Sequence, residues 1–159
     1  MPVDLTAANQ LPPKSDELFR IFARFEFALK MAGFTSPKPD GKFDVDWNTF
    51  ANSAELGPAF LAEVQASGIA ATILGDPPMH QRLVHGALAF VPAAPPDAVQ
   101  AFVGAVCRVR NNLFHGGKFF PGNDDDRNTT LVSEAIASLL LALEKHEAVR
   151  AYFEGRLPS

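Results

Sequence analysis

The amino-acid sequence predicts an all-α fold, an antiparallel helical bundle with additional short helices. Apolar residues recur at intervals of three and four along several long segments, which is the spacing of one helix face. Glycine and proline interrupt the chain where these segments end. The alternation of apolar and polar residues that marks a half-buried strand is not evident. A bundle is the simplest fold that buries one apolar stripe from each helix.

The composition is typical of one soluble globular domain, with 159 residues, 47% hydrophobic and 20% charged. A net charge of −4 gives no general attraction for nucleic acid, so RNA would need a local cluster of cations or an oligomer. The single cysteine, Cys107, is typical of a reducing compartment, and we expect a cytoplasmic protein. No apolar run approaches the roughly 20 residues of a membrane span, and a signal peptide is not expected.

The first helix follows a short arm. Residues 1–14 are expected to form an N-terminal arm, and residues 15–159 a single helical domain. Ser15 is the predicted N-cap, and Gly33 the stop. The inward stripe between them consists of Leu18, Phe22, Phe25, Leu29 and Ala32.

The middle of the chain contains shorter elements. Residues 35–46 are rich in turn formers and predict a surface loop. Helical segments are expected over 47–53 and from Gly57, with Pro58 at the first helical position. Ser67–Gly68 interrupts this second segment, and helix is expected to resume over 69–73 and again over 79–90.

Two long helices complete the predicted bundle. The first is capped by Asp97 and buries Val99, Phe102, Val103, Val106, Val109 and Leu113. A loop over 116–125 follows. The last helix starts at Asp126 and buries Val132, Ile136, Leu139, Leu140, Leu143 and Val149.

Arg110 is unusual because helical spacing places it on the same face as Val103, Val106 and Leu113. A guanidinium on an apolar face needs a partner, since a buried unpaired charge is costly. That partner could be an acidic side chain of the bundle, a second subunit or a phosphate. Glu26 is the candidate within the bundle, because it borders the apolar stripe of the first helix.

His115 follows where Gly116 and Gly117 interrupt the helix. On an ideal helix it would lie about 140° from Arg110, but a helix that ends before it lets its side chain turn towards the same opening. Histidine serves as base and acid near neutral pH, and arginine stabilises charge on a phosphate. The pair suits RNA cleavage through the 2′-hydroxyl. Capping of the helix end is the alternative interpretation.

A family resemblance supports the first interpretation. The stretch "RNNLFHGGK", residues 110–118, resembles the Arg-x(4–6)-His motif of HEPN-domain proteins, in which a polar residue commonly follows the arginine. The stretch "ELFRIFARFEFALKMAGF", residues 17–34, is similar to the first helix of some bacterial members. The resemblance covers most of residues 16–152 and implies an HEPN-like bundle with the motif between its last two long helices.

The resemblance also implies an activity, that of a metal-independent endoribonuclease whose product carries a 2′,3′-cyclic phosphate. It implies a homodimer with both motifs in one cleft, and a role as a toxin or defence effector. Arg110 matches the family arginine, Asn111 its polar neighbour and His115 the histidine. No metal or cofactor is expected.

Further RNA contacts are expected from basic residues near the motif, namely Arg108, Lys118 and Arg127. One branch of the family carries a tyrosine two residues after the histidine, which a partner nucleotidyltransferase modifies. That position is Gly117 here, so this mode of control is not expected. An antitoxin or a nucleotidyltransferase is still a candidate partner.

Two rival hypotheses stay open. Some HEPN proteins are non-catalytic, so the second hypothesis is a binding module of the same fold in which Arg110 and His115 anchor a nucleotide or a partner protein. A purely structural helical protein is the third. Asp124, Asp126 and Asn128 begin like a calcium loop, but the required glycine and closing glutamate do not follow. His80 and His85 have the wrong spacing for one helix face and are interpreted as ordinary polar residues.

Overall fold

A computed structural model describes residues 1–114 and 125–159. Within them the chain forms seven α-helices and two β-hairpins, so the architecture is mixed α and β, and the all-α prediction is wrong. The elements in order are α1 (Ser15–Met31), β1 (Thr35–Pro37), β2 (Phe43–Val45), α2 (Trp47–Ala51), α3 (Gly57–Ser67), α4 (Ala71–Gly75), β3 (His80–Val84), β4 (Ala87–Val91), α5 (Val99–Phe114), α6 (Asp125–Lys145) and α7 (Glu147–Phe153).

The second hairpin replaces the helix predicted over residues 79–90. Strands β3 and β4 pair antiparallel, with His80 opposite Val91 and Val84 opposite Ala87. His85 and Gly86 join them with φ of 50° and 78°, the left-handed backbone that two-residue hairpin turns require. The first hairpin, β1 with β2, likewise replaces a predicted loop.

Both hairpins escaped prediction because their strands are largely exposed. A strand shows apolar and polar alternation only when one of its faces is buried. Leu83, Val84 and Leu88 lie at the exposed end of the second hairpin, so its sequence resembles an apolar helix segment. Turn geometry and backbone pairing define these hairpins, and hydrophobic burial contributes little.

Helix α5 lies at the centre of the core, where it contacts α1, α2, α3, α4 and α6. Its six predicted inward residues, from Val99 to Leu113, are all buried, and the predicted face of α1 is also confirmed from Leu18 to Leu29. On α6 the prediction holds except at Leu140, which is 41% exposed.

Three predicted helix ends are wrong. Helix α5 begins at Val99, so Ala98, and not Asp97, directly precedes its first residue. Lys14 occupies the N-cap position of α1 with φ 67°, while the Ser15 hydroxyl donates to the carbonyl of Pro12 at 2.7 Å. The last predicted helix is two helices, because α6 ends at Lys145 and α7 begins at Glu147. Between them, Nδ1 of His146 accepts a hydrogen bond from the backbone N–H of Val149 at 3.4 Å and caps α7.

The short helix α4 is held from outside by α6. The two carboxylate oxygens of Glu134 accept hydrogen bonds from the backbone N–H groups of Thr72 and Ile73, at 2.9 and 2.8 Å. The N-cap residue of α4, Ala70, offers no side-chain acceptor. Glu134 therefore satisfies N–H groups that a helix start otherwise leaves unpaired.

We predict that Glu134→Ala lowers the free energy of unfolding by about 1–2 kcal/mol, because two backbone donors lose their acceptor. Glu134→Gln, which keeps one acceptor oxygen, should lose less. Glu144→Ala is the matched control, since Glu144 is exposed on the same helix, and its effect should stay within about 0.5 kcal/mol. Urea unfolding followed by circular dichroism measures all three, and equal values for Glu134→Ala and Glu144→Ala would contradict the capping role.

Candidate functional site

The last two turns of α5 carry polar side chains that leave the helix in two directions. Arg110 extends towards α1, where it meets Glu26. Arg108 and Asn112 extend the opposite way, to the segment that leads into β3. Residues two apart on a helix point about 200° apart, so this divergence follows directly from their spacing.

Arg110 is oriented by several neighbours. Its Nη2 lies 3.5 Å from Oε1 of Glu26, and each of the two side chains is 27% exposed. Its guanidinium carbon lies 4.6 Å from the ring centre of Phe22 and 5.6 Å from that of Phe114. Its Nη1 donates to Oδ1 of Asn111 at 2.8 Å. The guanidinium on the apolar face therefore has an acidic partner within the chain, and it still reaches solvent.

Arg108 and Asn112 hold the backbone at the base of the second hairpin. Nη1 of Arg108 donates to the carbonyl of Pro78 at 2.9 Å, and Nδ2 of Asn112 donates to the carbonyl of Met79 at 3.0 Å. Asn112 is only 3% exposed. These contacts give both side chains a structural role beside any role in binding.

Arg127, another expected RNA contact, also holds this segment. Its Nη2 donates to the carbonyl of Pro77 at 3.0 Å, and its Nη1 lies 2.6 Å from Oδ2 of Asp76. Its side chain is 18% exposed. Arg127 thus anchors the chain before β3 and offers little free surface.

The other two predicted site residues, His115 and Lys118, lie outside the described residues, as does Asp124 of the rejected calcium loop. A shared opening for Arg110 and His115 therefore stays a prediction. Asn111, the polar neighbour of Arg110, is exposed on α5.

A surface cavity of about 300 Å³ lies between the end of α5 and β3. It is lined by His80, Gln81, Arg82, Gly104, Arg108, Asn111 and Asn112. Sequence reasoning assigned no role to His80 or Arg82, because it placed both on a helix. The turn dipeptide His85–Gly86 was the signal that could have revealed the hairpin.

The cavity is electrostatically positive. Partial burial, and then the charges of Arg108 and Arg82, lower the pKa of His80. Burial, and then the charge of Arg82, lower the pKa of Arg108. Over residues 1–114 and 125–159, no Asp or Glu forms an ion pair with His80, Arg82 or Arg108. Among the described residues, the charges of Arg82 and Arg108 therefore lie near each other without an acidic group at ion-pair distance.

Cys107, on α5 between these two directions, is not a nucleophile in this setting. Burial, and then the negative charge of Glu26, raise the pKa of its thiol to about 12. A thiol with such a pKa stays protonated near neutral pH, and the thiolate is the reactive form.

In the part of the chain that the structure describes, no group of three or more His, Cys, Asp or Glu side chains is arranged to hold a metal ion. None of the helices described is long and apolar enough to cross a membrane.

No family model, no curated protein and no solved structure matches the chain. The resemblance to HEPN proteins therefore depends on the motif at residues 110–118 and on the first-helix segment.

We predict a coupling energy of about 0.5–1 kcal/mol between Arg110 and Glu26 in a double-mutant cycle, as expected of a partly exposed ion pair. Arg110→Ala alone should cost more than Glu26→Ala, because it also removes the contact with Phe22, about 0.5–1 kcal/mol. Urea unfolding of wild type, both single variants and Arg110→Ala/Glu26→Ala measures the coupling. Additive losses would mean that the pair contributes nothing in solution.

Proposed function

We propose that this protein is an RNA endonuclease that works without a metal ion, with Arg110 and His115 as its catalytic residues and Asn111 in support. His115 would accept the proton of the ribose 2′-hydroxyl or donate one to the leaving 5′-oxygen. Arg110 would stabilise the negative charge that builds on the phosphate. The products would be a 2′,3′-cyclic phosphate and a 5′-hydroxyl.

The observation that best supports this proposal is that the guanidinium of Arg110 is held in place by neighbouring residues and is still partly exposed to solvent. Glu26 and the ring of Phe22 orient its guanidinium, yet 27% of the side chain is exposed. A pre-oriented donor loses little conformational freedom when it meets a phosphate. Arg110 also lies one turn before the end of α5, so the next residues of the chain are those of the motif.

The proposal includes a two-fold homodimer in the cytoplasm, with an antitoxin or a nucleotidyltransferase as a further candidate partner. The net charge of −4 opposes RNA binding at long range. Pairing two copies of the α5 end would double the arginines around one strand. A two-fold interface places the same surface of each copy opposite the other.

We predict that wild-type protein cleaves a mixed pool of single-stranded RNA in the presence of chelator. His115→Ala should lower the rate by roughly a hundredfold or more through the loss of proton transfer. Arg110→Ala should lose a similar factor through the loss of phosphate stabilisation. DNA of the same sequence should resist cleavage, because it lacks the 2′-hydroxyl. Gel electrophoresis with analysis of the product ends measures each rate.

Glu26→Ala is the control for Arg110→Ala. It breaks the same ion pair but keeps the guanidinium, so its loss of rate should be clearly smaller. Equal cleavage by wild type and His115→Ala would assign the activity to a contaminant or another site. Absence of cleavage by wild type on several RNAs would refute the nuclease.

A second function, a non-catalytic nucleotide-binding module, is favoured by a separate observation. Glu26 already neutralises Arg110, whereas the cavity at Arg108 is positive and unpaired among the described residues. Under this hypothesis wild type binds nucleotides or RNA without cleaving them. If the cavity at Arg108 is the anchor, in place of the Arg110–His115 pair expected from the sequence, His115→Ala leaves the affinity unchanged.

A further inference from the structure

One of the residues that line the cavity between α5 and β3 is Gly104, which has no side chain. Gly104 lies inside α5, where glycine destabilises a helix relative to alanine. Apart from its two chain neighbours and the nearby backbone of its own helix, no atom of the described residues lies within 4 Å of the point where a Cβ on Gly104 would stand. A methyl group would fit there without a clash with the described residues, so their packing does not require this glycine.

Gly104 also lines a second cavity of about 320 Å³, which shares His80 and Arg108 with the first. Among the described residues that line the two cavities, Asp97, in the second cavity, is the acidic one. Open space therefore extends along both sides of Arg108, on the face of α5 that does not carry Arg110.

Among the polar residues that line the first cavity, Arg82 and Arg108 carry only hydrogen-bond donors, and Gln81, Asn111 and Asn112 each offer an amide group that both donates and accepts. Arg82 uses Nη1 for the carbonyl of its neighbour Gln81, at 3.0 Å. Arg108 uses Nη1 for the carbonyl of Pro78. A guanidinium carries five N–H donors, so each arginine has donors left for a ligand. Two guanidinium groups and a histidine on one cavity match the charge and the acceptor oxygens of a phosphate.

We propose that the cavity lined by His80, Arg82, Gly104, Arg108 and Asn111 binds a phosphate ester group, and that Gly104 leaves the space that this group occupies. With RNA as the source of the phosphate, the site holds the strand one face away from Arg110. In that respect it rests on the proposed function, but it requires neither cleavage nor His115.

The site makes binding depend on pH. The pKa of His80 is lowered in the free protein by partial burial and by the charges of Arg108 and Arg82. A bound phosphate opposes that effect and favours the protonated imidazole, whereas Asp97 in the adjoining cavity is present in both states. We predict tighter binding of an RNA phosphodiester strand as the pH falls from about 7.5 to about 6. His80→Gln should remove most of this dependence, and an unchanged pH profile in that variant would exclude His80 from the site.

The decisive experiment measures binding of a 2′-O-methyl RNA oligonucleotide with a 5′-hydroxyl, which cannot be cleaved through its own 2′-hydroxyl. We predict that Arg82→Gln weakens the affinity by about tenfold. It should also lower the slope of log affinity against log salt by about 0.7, as expected for one lost contact to a single strand. Lys42→Gln is the control, because it removes the same charge from an exposed position outside both cavities. Fluorescence anisotropy gives the affinities.

Gly104→Leu tests the space and leaves every cation in place. It should weaken binding, while Gly104→Ala, which adds one methyl group, should bind like wild type. Circular dichroism checks that each variant is folded. If Gly104→Leu does not fold, Arg82→Gln tests the site, because Arg82 is exposed and its replacement should leave the fold intact.

Two further ligands distinguish the source of the phosphate. The same oligonucleotide with a 5′-phosphate, and adenosine 5′-monophosphate alone, should respond to Arg82→Gln no more than the 5′-hydroxyl strand if the site holds backbone phosphates. A response confined to these two would assign the site to a terminal phosphate or a free nucleotide. Affinities for all three ligands that are unchanged in Arg82→Gln would overturn the proposal. Loss of cleavage in His115→Ala together with unchanged binding in Arg82→Gln would reject this site and support the nuclease. Loss of binding in Arg82→Gln together with no cleavage by wild type would support this site and reject the nuclease.

Discussion

Three successive backbone carbonyls, those of Pro77, Pro78 and Met79, are the groups on which this end of the molecule depends. Both prolines are buried, proline has no N–H to donate, and a buried carbonyl without a partner is costly. Each carbonyl receives one side-chain hydrogen bond, from Arg127, Arg108 and Asn112 respectively. Helices α5 and α6 thereby hold the chain where it enters the second hairpin.

This arrangement determines which charges meet. Because Arg108 donates a hydrogen bond to the carbonyl of Pro78, it lies beside β3, where it lines one cavity together with His80 and Arg82. Arg110, two residues further along the same helix, instead forms an ion pair with Glu26 on α1. One helix end therefore presents a neutralised arginine on one face and, on another, a cavity with two arginines and a histidine that form no ion pair with an acidic side chain among the described residues. A chain with a net negative charge can offer RNA a positive surface through a local cluster of this kind or through the pairing of two copies.

The helical core was predictable because the buried face of a helix requires apolar residues at intervals of three and four in the sequence. The inward faces of α1 and α5, the start of α3 at Gly57–Pro58 and its stop at Gly68 all follow from spacing and from backbone preferences. The need of Arg110 for a partner, and Glu26 as a candidate, also follow from helical position. Each of these predictions uses residues close together in sequence or the faces of single helices.

The hairpins and the cation cluster depended on the tertiary structure. Strands that expose most of their side chains carry little hydrophobic alternation, so β3 resembled a helix, and its His80 and Arg82 stayed unconnected with Arg108. The histidine that caps α7 likewise takes its role from the break after Lys145. The sequence alone determined which helix faces are buried, since burial of apolar area acts on every residue of a stripe. The tertiary structure alone decided which polar groups meet around the second hairpin, because single hydrogen bonds to backbone carbonyls join segments that are distant in the chain.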